Sequence, residues 1–176
     1  FFVKTERISK KTDGLIKYIN YLEDEKNNRH ANNEIILIHN LSRNFLNICN
    51  KNATNLDYQN SKKGGRKVES LAQSFDFSFP PGVNVSNEDY QEFSLKIIEV
   101  LKENISNLNE NEIFMNVHKN KNYKENESCG HLNLAVSRVS FDKNLKKYTN
   151  NIDLDKKKIL WKLKQEFNLF IANKYE

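Results

Sequence analysis

The chain has 176 residues, 38% of them hydrophobic and 29% charged, enough for one domain with a real core and too apolar for a disordered segment. A net charge of +5 and a pI of about 9.0 suit a polyanionic partner without requiring one. Two cysteines, Cys49 and Cys129, are too few for a disulfide scaffold and form no metal-ligand spacing, which fits a reducing cytoplasm. No stretch reads as a membrane span or a signal peptide. The first residue is Phe1 rather than Met, so a trimmed start is expected. Asn is abundant, at 28 residues, and Lys outnumbers Arg 23 to 5. Isolated asparagines therefore carry little weight.

Phe1 to Ile8 opens with aromatic and β-branched residues and reads as a strand. Thr12 or Asp13 is a plausible cap for a helix carrying Leu15, Ile16, Ile19 and Leu22 and running to about Glu25. Tyr18 and Tyr21, three apart, share one side of it. Glu34 to His39 is a short strand, and Asn44 to Asn50 a short helix. Lys51 to Lys67 is polar and reads as a surface loop. Val68 to Phe79 is a strand with Phe75, Phe77 and Phe79 on one face, stopped by Pro80-Pro81-Gly82. Ser86 to Asp89 starts a long helix carrying Phe93, Ile97, Ile98, Leu101 and Ile105. Glu112 to Val117 and Leu132 to Val139 are strands, and Asp153 to Tyr175 is a closing amphipathic helix. The order β-α-β-α-β-α-β-β-α has no Gly-rich phosphate loop after a strand. It predicts an α+β fold, an antiparallel central sheet with helices packed on it.

The residues that carry chemistry cluster late in the chain. His131 and Asn133 are two apart on a strand and share a face, while Leu132, Leu134 and Val136 take the other. His118 follows the neighbouring strand. If the two strands pair, two imidazoles and an amide oxygen converge, a donor set able to hold a divalent ion with open positions. Two surface histidines and one of many asparagines is the plainer alternative. His30 and His39 have no partner at ligand spacing and read as structural or surface residues.

The pattern Val117-His118, then His131-Leu-Asn133 running on to Ser137-Arg138-Val139, resembles the third motif of P-class conjugative and mobilization relaxases, part of the HUH endonuclease superfamily. Asp13-Gly-Leu-Ile-Lys-Tyr18-Ile is similar to that family's first motif, a helix presenting a nucleophilic tyrosine. Glu69 to Ser78, followed by Phe79-Pro80, resembles the central strand segment that carries a family serine. The resemblance covers nearly the whole chain. Three features depart from it. Asn133 stands where the second histidine of the HUH pair belongs, Asn120 where an acidic residue is frequent, and the loop from Lys119 to Gly130 is longer than usual.

The resemblance implies a single DNA-nicking domain over residues 1–176, expected to be the N-terminal part of a longer protein. It implies site-specific nicking and rejoining of single-stranded DNA at an origin of transfer, where an adjacent hairpin and accessory relaxosome proteins are expected partners. Tyr18 is the nucleophile and Tyr21 its competitor on the same helix. His118, His131 and Asn133 hold the metal, Mg²⁺ or Mn²⁺ given the harder amide oxygen. Ser78 and Asn120 support the site from behind. Lys17, Arg66, Lys67, Lys119, Lys121 and Arg138 are the DNA-binding candidates, a solvated lysine-rich surface being the alternative. Two rivals remain: a binding module with weakened catalysis, which the Asn133 and Asn120 departures favour, and a rolling-circle initiator using Tyr175.

Overall fold

In the computed structural model, which describes residues 2–176, the chain order is β1 (Phe2–Ile8), α1 (Lys11–Glu23), β2 (Asn33–His39), α2 (Ser42–Ser61), β3 (Ala72–Ser78), α3 (Asn87–Asn104), β4 (Ile113–Asn120), β5 (Gly130–Ser137), β6 (Val139–Asp142), β7 (Lys147–Asn150) and α4 (Lys157–Tyr175). The expected strand start at Phe1 lies outside the described residues. Five strands form one sheet in the order β1-β3-β5-β4-β2, with every neighbouring pair antiparallel. The α+β architecture is the one the element order predicts.

Strand alternation explains the layering. Phe75 and Phe77 of β3, Met115 and Val117 of β4, and Leu132, Leu134 and Val136 of β5 face one side. There they meet Phe93, Ile97 and Leu101 of α3 and Leu163, Phe167 and Phe170 of α4. A second, smaller core lies on the other face. Ile8, Ala72, Phe114 and Ala135 pack under Leu15, Ile19 and Leu22 of α1 and Phe45, Cys49 and Ala53 of α2. This cover stops short of the β5 start. Beyond it the same sheet face continues in polar residues, Asp76, Asn116, His118, His131 and Asn133, in cross-strand register.

Several elements differ from expectation for identifiable reasons. Helix α1 begins at Lys11, with Lys10 in the left-handed region at φ 67° and no side-chain cap; neither Thr12 nor Asp13 caps it. Thr12 instead donates to the Asn50 side chain at 2.9 Å. Gly14 is fixed by a close approach, since a Cβ there would stand 1.7 Å from the Ser9 carbonyl oxygen. Helix α2 has 20 residues, and most of the expected loop belongs to it. Its apolar stripe of Phe45, Cys49, Ala53 and Leu56 is diluted by asparagines, and burial rather than propensity decides the segment. The small β6–β7 hairpin was not visible in the sequence. Its turn is held by Asp142, whose carboxylate accepts from the backbone of Asn144 and Leu145. Ser86 caps α3 as expected, accepting from Asp89 N at 3.1 Å.

A buried carboxylate ties the layers together. Glu112 is 2% exposed and accepts from Asn109 N, Ser140 Oγ and Asn52 Nδ2, joining α2 to the start of β4 and to β6. Among the described residues, no helix is long and apolar enough to cross a membrane.

Candidate active site

The polar end of the second face is built from three adjacent strands. His118 and His131 are direct cross-strand partners, as are Asn116 and Asn133. Asp76 pairs with Asn133, and Ser78 with His131, from the other side. One row across the sheet therefore reads Ser78, His131, His118, and the next Asp76, Asn133, Asn116. The sequence separation of His118 and His131 is closed by the β4–β5 pairing, and Gly130 makes the approach feasible. A Cβ at Gly130 would lie 2.5 Å from the His118 carbonyl oxygen.

Helix α1 docks on these rows through its C-terminal end. The Leu22 carbonyl accepts from His118 Nε2 at 2.7 Å and from Asn116 Nδ2 at 2.9 Å, satisfying a helix-end carbonyl that is otherwise without a partner. Asn133 Nδ2 donates to Asn116 Oδ1 at 3.1 Å. Four rings then line up. Tyr21 lies 4.7 Å from His30, His30 4.4 Å from His118, and His118 5.1 Å from His131, all between centroids. His30, set aside in the sequence as structural or surface, is 2% exposed and sits inside this row. Only the fold brings it there, because its loop has no periodicity to reveal it.

Tyr18 places its hydroxyl in the buried interior, near enough to Ser74 for that side chain to offset part of the burial effect but without a well-formed hydrogen bond among the described residues. Burial raises its pKa far above the usual range, and the nearby Asp76 carboxylate adds to the rise. Asp76 was missed in the sequence, although a carboxylate between two buried phenylalanines, Phe75 and Phe77, was a readable signal. Its Oδ1 is buried without a partner. Burial, reinforced by Glu6 and partly offset by Lys4, pushes its pKa up to about 6. Burial lowers the pKa of His131 to about 4, with His118 and His30 adding to the drop. His118 is also shifted down, by burial first, so both rings are neutral with a lone pair at neutral pH.

These two shifts have opposite consequences for stability. The raised Asp76 contributes stability that is present below pH 3.8 and lost as pH rises through about 6. The depressed His131 contributes stability that is present above pH 6.5 and lost as pH falls through about 4. Their windows overlap, and each is on the order of 2–3 kcal/mol. The parent protein should therefore show little net slope from this pair between about pH 4 and 6. Asp76→Asn should be the more stable chain at pH 7 and should gain stability with rising pH across that window. Urea unfolding midpoints at several pH values check this, and an unchanged pH profile for Asp76→Asn would contradict the buried-carboxylate assignment.

The remaining candidates divide by position. Ser78 and Asn120 both lie at the histidine end; Asn120 accepts from Asn122 N as the chain leaves β4. Lys17 and Lys121 are exposed. Lys119 reaches the Asn87 side chain at 3.4 Å. Arg66 and Lys67 are exposed but precede β3, whose start is at the opposite end of the sheet from the histidines. Arg138, expected on DNA, is 8% exposed and committed elsewhere, donating to both Asp155 oxygens at 3.0 and 2.8 Å and to Gln73. A bidentate ion pair between a buried arginine and a half-exposed carboxylate leaves few donors of Arg138 free for a phosphate. Tyr175 lies on the other side of the sheet, packed against the larger core with its hydroxyl donating to Asp89 at 2.7 Å. Tyr175, the rolling-circle candidate, thus lies on the face opposite to His118 and His131.

Among the described residues, no three His, Cys, Asp or Glu side chains stand around a common point as a ready ligand shell. The His118–His131 pair still fits an ion. Imidazoles bound at ~2.0–2.1 Å to one tetrahedral metal put their ring centroids about 5 Å apart, and these are 5.1 Å apart.

No family model matches the chain, and no curated protein sequence does. Solved structures do. The metal-bound structure of the conjugative relaxase TrwC in complex with oriT DNA aligns with a TM-score of 0.54 at 9% identity, over 98% of this chain and 70% of that one. Its copper-bound form aligns at 0.56 and 10% identity over the same shares, and its metal-free form at 0.53 and 9%. At such low identity the likeness is one of architecture: the chain has the fold of a conjugative relaxase.

Proposed function

We propose that the chain is a relaxase-type DNA-nicking domain, cutting and rejoining one strand through a covalent tyrosine intermediate at an origin of transfer. The observation that carries this reading is the placement of Tyr18 and Asp76, each with a buried oxygen lacking a well-formed hydrogen bond, on the sheet face that holds His118 and His131. The likeness to a relaxase bound to oriT DNA supports it. The closer assignment to the P class, with Asn133 as a departure from the HUH pair, belongs to the same proposal and rests on the motifs.

The chemistry is a transesterification. The Tyr18 oxygen forms a bond to the scissile phosphorus, the bond from phosphorus to the 3′ oxygen breaks, and the 5′ phosphate stays on the tyrosine. Tyr18 must lose its proton, and burial opposes a free phenolate. Asp76, with a pKa pushed up to about 6, is placed to accept that proton as the new bond forms. Proton transfer to a neighbour avoids a buried pair of negative charges. A divalent ion held by His118, His131 and a third donor would spread the charge on the phosphate oxygens. Exposed Lys121, which follows β4 at this end, would meet the strand's backbone, and exposed Lys17 on α1 is a second candidate.

Tyr21 offers a second reading. It is 37% exposed and its ring lies against His30, so a strand reaches it more easily than Tyr18. Cleavage of a single-stranded origin oligonucleotide, with and without chelator, tests the activity. Metal-dependent cleavage at one position is expected, with binding that weakens with salt by about 0.7 log units per log unit for each phosphate contact. Binding that persists unchanged in salt with no cleavage in any divalent ion would contradict the reading.

A further inference from the structure

We infer that Asn133, at the position the resemblance gives to a metal ligand, acts instead through Asn116, the two forming a positioning pair that docks the tyrosine-bearing helix α1 on the sheet. The inference rests on the nicking reading for its effect on cleavage, and on the structure for the contact itself.

Alternation places Asn116 two residues after Phe114 on β4 and Asn133 two residues before Ala135 on β5, all four on one sheet face. Phe114 and Ala135 belong to the apolar core under α1 and α2. The next row is as deeply buried, with Asn116 1% and Asn133 2% exposed, yet it is polar. Two amides at such a place cost stability unless they are hydrogen-bonded. Asn133 Nδ2 donates to Asn116 Oδ1 at 3.1 Å, and Asn116 Nδ2 donates to the Leu22 carbonyl at 2.9 Å. This chain of bonds has a direction. With its oxygen held by Asn133, Asn116 presents its NH₂ to α1. Turning that amide over would set NH₂ against NH₂ and carbonyl against carbonyl. Asn133 therefore fixes which end of Asn116 meets the helix.

The point of attachment matters for the tyrosine. Leu22 lies one turn beyond Tyr18 on α1, and its carbonyl is among the last four of that helix, which have no partner within it. His118 also donates to it, at 2.7 Å, so the end of α1 is held by two side chains of β4. The row of Asn116 and Asn133 continues to Asp76, the cross-strand partner of Asn133 on β3. One row thus carries the anchor of the tyrosine helix at one end and the carboxylate near the Tyr18 hydroxyl at the other. Docking α1 on this row sets the Tyr18 oxygen against Asp76, the geometry on which proton transfer depends. A helix free to shift by about 1 Å would lose much of that, a displacement that costs on the order of 10²-fold in rate.

Two measurements on the whole chain test this. The first uses neither DNA nor metal. Hydrogen exchange followed by NMR should show slowly exchanging side-chain NH₂ protons on both Asn116 and Asn133 of the parent. Asn133→Ala and Asn116→Ala should each speed exchange of the backbone amides in the last turn of α1 by ~5-fold or more. The double variant should exchange no faster than Asn116→Ala alone, because Asn133 acts through Asn116. The second measurement is single-turnover cleavage of the origin oligonucleotide in Mn²⁺. Each variant should lower the rate constant by ~10–100-fold at full amplitude, with oligonucleotide binding within about threefold and no further loss in the double variant. Lost amplitude at an unchanged rate constant is what a merely destabilised fold gives, and single effects that multiply are what an independent metal ligand gives. Either result overturns the inference, as do rapidly exchanging side-chain amides in the parent. The nicking reading fails separately. A parent that shows the slow amides and the coupled exchange effects but cuts no oligonucleotide keeps the anchor and loses that function, whereas cutting with uncoupled exchange effects does the reverse.

Discussion

Tyr18→Phe is expected to abolish strand cleavage, by at least ~10³-fold, while DNA binding stays within a few fold. The substitution removes only the oxygen that would bond to phosphorus. The ring still fills its place beside Ile19 and Leu22 on the buried side of α1, so folding should be unaffected or slightly improved. The hydroxyl it removes is buried without a well-formed hydrogen bond, which costs stability in the parent. A more stable and inactive variant is the signature of a group kept for chemistry rather than packing. Gel-based cleavage together with a binding titration on the same oligonucleotide separates the two effects. Tyr21→Phe should cost little in either assay. If Tyr18→Phe cuts at the parent rate and Tyr21→Phe does not, the more exposed tyrosine is the nucleophile.

The second large effect concerns the strand histidines. His131→Ala should weaken divalent-ion binding by at least ~100-fold and lower cleavage by a comparable factor. His131 is the cross-strand partner of His118, and no other imidazole occupies β5. Because its pKa is pushed down to about 4, protons do not compete for its lone pair at neutral pH. Metal binding by the parent should therefore hold from neutral pH down to about pH 5 as far as this ring is concerned, and decline below it. Calorimetric titration of parent and variant across that range checks both statements, and equal affinities for the two chains would remove His131 from the site.

How much of this was legible in the sequence depended on the physics behind each element. Strands β3, β4 and β5 were readable because one face of each is mostly apolar, and alternation put His131 and Asn133 together on the other. The cap at Ser86 and the long helix after it were readable for the same local reasons. Helix α2 was not, because its buried stripe is sparse and its exposed positions are asparagines and other polar residues that propensity assigns to loops. The hairpin of β6 and β7 is only four residues per strand and gives too short a period to detect. Spacing singled out His118 and His131 and motif resemblance singled out Tyr18, and the fold brings the two histidines side by side on one sheet face. Asp76 could have been found from its charge between two phenylalanines of a strand. His30 could not, since nothing in residues near it announces that the loop after α1 folds back over β4. Arg138 misled in the opposite direction: an arginine after a histidine strand suggests phosphate, but Asp155, 17 residues on, claims it.

The central claim is a covalent bond between one tyrosine and the 5′ end of a cut strand. It is tested most directly by incubating the chain with a divalent ion and a single-stranded origin oligonucleotide, digesting the product and mapping the DNA-linked peptide by mass spectrometry. The account predicts one adduct, on the peptide carrying Tyr18, with the 5′ phosphate attached to that side chain and a free 3′ hydroxyl on the released fragment. Cleavage that leaves a free 5′ phosphate and no protein-linked DNA would contradict it, because such a product comes from water and not from Tyr18.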